Sequence, residues 1–202
     1  MGKRVFDFVV AFAGLIILAP LMAAIAAAVK LDSPGPVFFR QERVGRHGRT
    51  FRIHKFRTMV ADAAEVGLAI TVGSDARITR VGRWLRARRL DELPQLIDVL
   101  QGHMSIVGPR PEVPRYVALY PKELRDAVLA VRPGITDPAS LAHIDEDERL
   151  ARAVDPEREY VEVLMPAKLV QAAAYAREAN WASDLRIIGQ SVALLVGRGQ
   201  KR

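Results

Sequence analysis

The sequence predicts a mostly helical α/β protein, a small globular domain behind an N-terminal membrane helix, and three observations predict it. Phe8 to Val29 is a run of 22 residues without a charge. Two strand-like segments then flank a short polar loop. Beyond them, apolar residues recur at helical spacing. A chain of 202 residues suffices for one ordinary core plus a membrane element. The division expected is residues 1–31 for the membrane helix and 32–202 for the domain.

As a helix rising about 1.5 Å per residue, the uncharged run can cross a hydrocarbon layer of roughly 30 Å. It is too long for a signal peptide, and Lys30 follows it without a small-x-small cleavage site. Pro20 sits near its middle, where it removes a backbone hydrogen bond and bends or breaks the helix at a cost of about 3 kcal/mol. Lys3 and Arg4 precede the run, and Lys30, Arg40, Arg43 and Arg46 follow it. Positive charge on both flanks suits a hairpin that enters and leaves on one side. A single spanning anchor and a re-entrant helix broken near Pro20 both fit these residues.

Ser33-Pro34-Gly35-Pro36 stops the helix. Val37 to Val44 and Thr50 to Phe56 read as a β-hairpin around Gly45-Arg46-His47-Gly48. Seven Lys or Arg stand between residues 40 and 57 against one acid, Glu42, and six Arg with no acid occupy residues 77–89. The formal charge of +7 points to polyanions, whether nucleic acid, nucleotides or lipid headgroups. Around Trp84 the arginines suit either a membrane-surface helix or guanidinium groups offered to a diphosphate. The absence of Cys excludes disulfides and thiolate metal sites, and the four His show no metal-ligand spacing.

Leu93, Leu96, Ile97 and Leu100 lie at i, i+3, i+4 and i+7, so a helix follows Leu90-Asp91-Glu92 with Asp91 as its expected N-cap. The plain reading of Asp91 and Glu92 is a cap and a first-turn acid. Their setting offers more, because a helix N-terminus favours an ionised carboxylate and attracts phosphate. With Arg86, Arg88 and Arg89 just upstream, an ionised Asp91 has the ingredients of a nucleophile at phosphorus. Neutralisation by Arg or a divalent cation is then required. Pro109 and Pro111 hold Arg110 between them in an extended segment, which suits either a surface turn or a preorganised phosphate contact.

Five segments in order resemble one family, the monotopic phosphoglycosyl transferases or bacterial sugar transferases. They are Ser33 to Gln41, Lys55-Phe56-Arg57-Thr58-Met59, Leu90 to Leu96, Met104 to Pro111, and Arg132-Pro133-Gly134-Ile135-Thr136. The resemblance implies that Asp91 attacks the β-phosphate of a UDP-sugar and expels UMP. A polyprenyl phosphate, undecaprenyl phosphate in bacteria, then takes the phosphosugar in the first membrane step of a surface glycan pathway. It implies that Glu92 assists as base or as Mg2+ ligand beside Asp91. It also implies that Lys55, Arg57, Arg86 and Arg110 bind phosphates, and that the enzyme works on the cytoplasmic face of the inner membrane. The implied fold is a small α/β domain with interfacial helices and a re-entrant helix broken at Pro20. The chain departs from the family's common residues at Ala19, Arg89, Asp98 and Asp137-Pro138-Ala139-Ser140.

In the C-terminal third, Pro156 suits a helix start, Pro166 a break or restart, and Ser183 a cap. Leu185, Ile188, Val192 and Leu195 form an apolar stripe for core or membrane contact, followed by the basic Arg198, Lys201 and Arg202. A membrane-tethered nucleic-acid-binding protein is the alternative reading of the charge. No DNA-binding motif or aromatic platform supports it, so membrane lipid and no nucleic acid is the expected partner set.

Overall fold

The computed structural model describes residues 2–61, 75–143 and 145–198. Helix α1 spans Gly2–Asp32, and strands β1 (Phe38–Val44) and β2 (Thr50–Phe56) form an antiparallel hairpin in register from Phe38↔Phe56 to Val44↔Thr50. Helices α2 (Arg80–Ala87) and α3 (Gln95–Gln101) follow, joined through a 3-10 turn at Leu90–Glu92. Strand β3 (Ser105–Val107) pairs in parallel with β4 (Gly134–Thr136) across α4 (Pro114–Val117) and α5 (Lys122–Leu129). The rest is helical: α6 (Pro138–Ala142), α7 (Glu146–Arg152), α8 (Pro156–Glu159), a π turn at Tyr160–Leu164, α9 (Met165–Glu178) and α10 (Trp181–Arg198).

Helix α1 shows a stripe that its sequence hides. Arg4, Asp7, Ala11, Gly14, Leu18, Met22, Ile25 and Val29 recur every three or four residues and are buried or half-buried, while Val5, Phe8, Phe12, Ile16, Ile17 and Leu21 are exposed. Small residues face the domain at Ala11 and Gly14, where an added Cβ would meet Leu96 Cδ1 at 3.3 Å. Leu18, Met22, Ile25 and Val29 also face the domain, while the large apolar side chains of Phe8, Phe12, Ile16 and Ile17 are among those that face away. Leaving several of them in water would cost about 1.5–3 kcal/mol each, so the outer face suits lipid.

The stripe keeps its phase across Pro20. One helix spans Gly2–Asp32 where a break into two was expected. The missing N–H removes only the bond to the Ile16 carbonyl, and Pro20 lies on the exposed face, clear of the packed stripe.

Polar anchors tie α1 down. Arg4 donates to the Val99 and Leu100 carbonyls at 2.6 and 3.0 Å, satisfying the end of α3. Asp7, 2 % exposed, accepts from Ser105 Oγ at 2.8 Å and from Ile106 N at 3.1 Å. Lys3 pairs with Asp184, which also accepts from the Tyr175 hydroxyl. At the other end Ile25 and Val29 pack with Phe56 and Leu85.

The hairpin is seated on α3 by a buried pair. Asp98, fully buried, accepts from the His54 amide at 2.8 Å through Oδ2, and its Oδ1 lies 2.7 Å from His54 Nδ1. Phe51, Ile53, Val99, Met104, Ile106 and Val107 close the main core around this contact.

The C-terminal expectations hold in part. Pro166 sits in the first turn of α9 and restarts the helix after the π turn. The cap of α10 is Asn180 rather than Ser183: Asn180 Oδ1 accepts from Ser183 N, and Ser183 Oγ accepts from Asn180 N. On α10 the apolar residue buried among those described is Ile187, with Ile188 packed beside it, while Leu185 and Val192 are exposed. The Leu195 and Arg198 side chains, Lys201 and Arg202 lie outside the described residues.

Asp98→Ala leaves two His54 groups without their acceptor inside the core. The expected cost is about 3 kcal/mol, read as a fall in Tm of roughly 6–12 °C for a chain of this size.

Candidate active site

The short connection between α2 and α3 carries the two carboxylates. Arg89 adopts the left-handed conformation, φ 54°, and turns the chain into Leu90–Glu92. Helix α3 starts only at Gln95, after Pro94, and no side chain caps it. Asp91 is therefore not the expected N-cap. It sits in the 3-10 turn ahead of the helix, free of the local hydrogen bond that capping would impose.

Glu92 is buried and committed. Its Oε1 accepts from Lys55 Nζ at 2.7 Å and from Arg110 Nη2 at 2.7 Å. Lys55 comes from β2, and Arg110 from the extended segment after β3. Burial raises the proton affinity of Glu92, but the two cations outweigh it and hold the carboxyl well below its ordinary range. Arg110 is correspondingly raised by the Glu92 charge. Lys55 is pushed down by burial, against the pull of Glu92.

Asp91 lies in the opposite state. Burial and the adjacent Glu92 charge raise its pKa, and Lys55, Arg86 and Arg110 only partly offset them. The sequence led us to expect an ionised Asp91 at a helix N-terminus. The structure makes its charge costly until further positive charge arrives.

Lys55, Arg86 and Arg110 line a cleft of about 580 Å³, together with Arg43, Glu112, Tyr160 and Lys168 among others. That volume suits a small-molecule ligand. The lining is mixed in charge, with Glu42, Glu146 and Asp147 also present, and Glu92 reaches it through Lys55 and Arg110; the end formed by Lys55, Arg86 and Arg110 suits a diphosphate.

Arg57 is placed elsewhere. It is 4 % exposed, and its guanidinium donates to the Pro34 carbonyl, to Val29 O at 3.3 Å and to Ser33 O at 2.7 Å. It closes the end of α1 and shapes the Ser33–Pro36 turn. At Gly35, φ 120°, an added Cβ would fall 2.1 Å from Arg57 Nη1, so this turn needs glycine. Of the residues predicted to meet phosphate, Lys55, Arg86 and Arg110 come together and Arg57 does not.

Sequence reasoning missed Asp98, His54, Glu112 and Tyr160. Only the spacing of Asp98 on α3, opposite its apolar stripe, could have drawn notice. Among the described residues no group of three or more His, Asp or Glu is placed to hold a metal ion.

Comparison with known proteins places the chain in a family. A family model described as bacterial sugar transferase matches residues 1–198. An Aeromonas hydrophila UDP-N-acetylgalactosamine-undecaprenyl-phosphate N-acetylgalactosaminephosphotransferase is 43 % identical over 143 residues, covering 70 % of this chain and 34 % of the relative. An Escherichia coli UDP-glucose:undecaprenyl-phosphate glucose-1-phosphate transferase is 40 % identical over 165 residues, covering 79 % and 36 %. A Rhizobium leguminosarum exopolysaccharide production protein is 50 % identical over 109 residues, covering 54 % of each. The chain thus spans about a third to a half of the length of these relatives. With the family model covering nearly its whole length, the chain belongs to the bacterial sugar transferase family.

Proposed function

We propose that this chain transfers a phosphosugar from a UDP-sugar to a polyprenyl phosphate through a covalent intermediate on Asp91. The observation that carries this reading is the contrast between two adjacent carboxylates. Glu92 gives its charge to Lys55 and Arg110, while the Asp91 carboxylate stays uncommitted beside the same cations. In the first step an Asp91 oxygen bonds to the β-phosphorus, the bond to the bridging oxygen breaks, and UMP leaves with that electron pair. In the second, an oxygen of the polyprenyl phosphate attacks the same phosphorus and Asp91 leaves as carboxylate. The relatives' names, which pair UDP-sugars with undecaprenyl phosphate, support the substrate classes.

Glu92 is a poor general base in this reading, because a carboxylate held well below its ordinary range takes a proton weakly. Its role is to fix Lys55 and Arg110 at the spacing of a phosphate clamp. Mg2+ fits beside them: it takes one or two carboxylates plus substrate phosphates and keeps several waters. Asp91 would hold it, with the remaining oxygen of Glu92 in support. When bound it supplies positive charge against the diphosphate, which also favours the ionised form of Asp91.

The membrane arrangement follows from α1. The helix packs on the domain near both ends, through Asp7 and Ala11 and again through Ile25 and Val29. A helix held in this way does not put its ends on opposite sides of a bilayer while the domain stays on one. This supports a re-entrant or in-plane helix, and the basic Lys3, Arg4 and Lys30 on both flanks of the run favour a domain on the cytoplasmic face of the inner membrane.

Asp91→Asn should abolish UMP release and the covalent adduct on incubation with UDP-sugar; persistence of either would sink the nucleophile assignment. The same variant should be more stable at neutral pH. A raised acid pKa means the cost of ionising Asp91 builds from its ordinary value, about 3.9, and is complete above the folded-state value. The Asn variant therefore gains Tm at neutral pH, roughly 2–4 °C for each ~1 kcal/mol, and loses that advantage as the pH falls towards 4.

Two arginines should separate by their kinetics. Arg110→Ala should cut UMP release by roughly a hundredfold or more and lower Tm as well, because buried Glu92 then keeps only Lys55 as its charged partner. Arg57→Ala should lower Tm, and the activity that remains at low temperature should keep a wild-type KM. The natural chain has no Cys, so Gly2→Cys introduces a single label site. A membrane-impermeant maleimide applied to intact cells should leave it unlabelled, whereas labelling from outside would make α1 a spanning helix.

A further inference from the structure

Arg110 is held from one side by backbone and from the other by side chains. Before it, Pro109 O accepts from Gly134 N at 3.0 Å, across the β3–β4 pair. After it, the bonds converge on Pro111 and Glu112. Arg43 Nη1 donates to Pro111 O at 3.0 Å and to Glu112 Oε1 at 3.1 Å, and Arg43 Nη2 donates to Gln41 Oε1 at 2.6 Å. Val44 N donates to Glu112 O at 2.9 Å, and Val113 N to Glu112 Oε1 at 2.9 Å. The other carboxylate oxygen, Oε2, accepts from the Tyr160 hydroxyl, which comes from the π turn ahead of α9.

Tyr160 is 7 % exposed and packed against Tyr116, with ring centroids 5.0 Å apart, and against Leu150 and Leu164. Burial, and then the Glu112 charge, push its hydroxyl pKa upward, so the phenol remains a donor at every working pH. A π turn breaks the regular helical bond pattern, an arrangement found frequently at functional sites.

We propose that Tyr160 and Glu112 are positioning residues for the donor diphosphate: Tyr160 fixes the Glu112 carboxylate, and Glu112 with Arg43 fixes the segment that carries Arg110. The inference rests on the phosphate-clamp reading of Arg110 given above. Neither residue touches the reacting atoms. Their effect is to hold one guanidinium at the distance Glu92 requires, since a small displacement of a clamp group is costly in rate.

The test is a double-mutant cycle on UMP release from UDP-sugar. Tyr160→Phe removes one hydroxyl and keeps the ring, and should lower kcat/KM roughly five- to tenfold. In an Arg110→Lys background the same change should have almost no further effect, because the group being positioned has gone. A purely structural role would lower kcat/KM by the same factor in both backgrounds, and that result overturns the proposal. So does wild-type activity in Tyr160→Phe. If Tyr160→Phe folds poorly, Glu112→Gln, which keeps one acceptor oxygen and the side-chain shape, should show the same loss and the same dependence on Arg110. Should Arg110→Lys itself retain full activity, the clamp reading fails, and the positioning role fails with it.

Discussion

Glu92 Oε1 accepts from two cations that reach it from different parts of the chain, Lys55 on the hairpin and Arg110 on the segment after β3. A buried carboxylate without partners is costly by several kcal/mol, and two charged hydrogen bonds to one oxygen offset that cost. The arrangement has a consequence next door. With both cations turned towards Glu92, Asp91 keeps a share of their field but none of their hydrogen bonds. Two carboxylates one peptide apart are thereby driven in opposite directions, the pattern that separates chemical roles within one site. The low-affinity member organises the cations, and the high-affinity member is left available for chemistry.

The fold serves this geometry from three sides. The Asp98–His54 pair fixes the hairpin on α3, so Lys55, next to His54, and Glu92, six residues before Asp98, belong to elements locked together. The β3–β4 contact fixes the approach of Arg110. There Gly108 and Gly134 pack backbone on backbone: a Cβ at Gly108 would lie 2.3 Å from Arg132 O, and one at Gly134 would lie 2.1 Å from Gly108 N. No side chain larger than hydrogen fits such an approach. Gly82 does the same for α2, where a Cβ would lie 2.1 Å from Thr58 O. These close backbone contacts place the arginine-bearing segments relative to one another more firmly than side-chain packing alone.

The sequence makes local patterns legible and long-range partners not. The hairpin register, the helix after the dyad and the adjacency of Asp91 and Glu92 are all written in short spacings. Arg57 shows the opposite case. It stands in the same motif as Lys55, but it lies just past the end of β2, where the strand no longer sets its direction, and the carbonyls it meets lie 23 to 28 residues upstream. The capping role expected of Asp91 failed because Arg89 and Pro94 divert the chain into a 3-10 turn before the helix begins. Asp7, which no local pattern singles out, is a buried acceptor for a strand 98 residues away. No periodicity within α1 marks its packed side, because both sides are apolar and both mix large and small residues.

The packing of α1 also locates the site. In a water-soluble helix the large apolar residues turn inward; α1 leaves Phe8, Phe12, Ile16 and Ile17 turned outward, while Ala11 and Gly14 allow the domain to approach its axis. Helices α2 and α3, whose connection holds Asp91 and Glu92, both pack on α1. Asp91 is therefore one layer removed from the surface that favours lipid. The cleft lined by Lys55, Arg86 and Arg110 is where the proposed reaction would seat its donor diphosphate. The proposed reaction joins a water-soluble donor to a lipid-borne acceptor, and both must reach the same phosphorus. A turn carried directly on the membrane helix meets that requirement without any large movement of the domain. Once α1 is held at the membrane, the rigid contacts at Gly14, Asp7 and Val29 set the depth of Asp91, leaving only small adjustments to the two substrates.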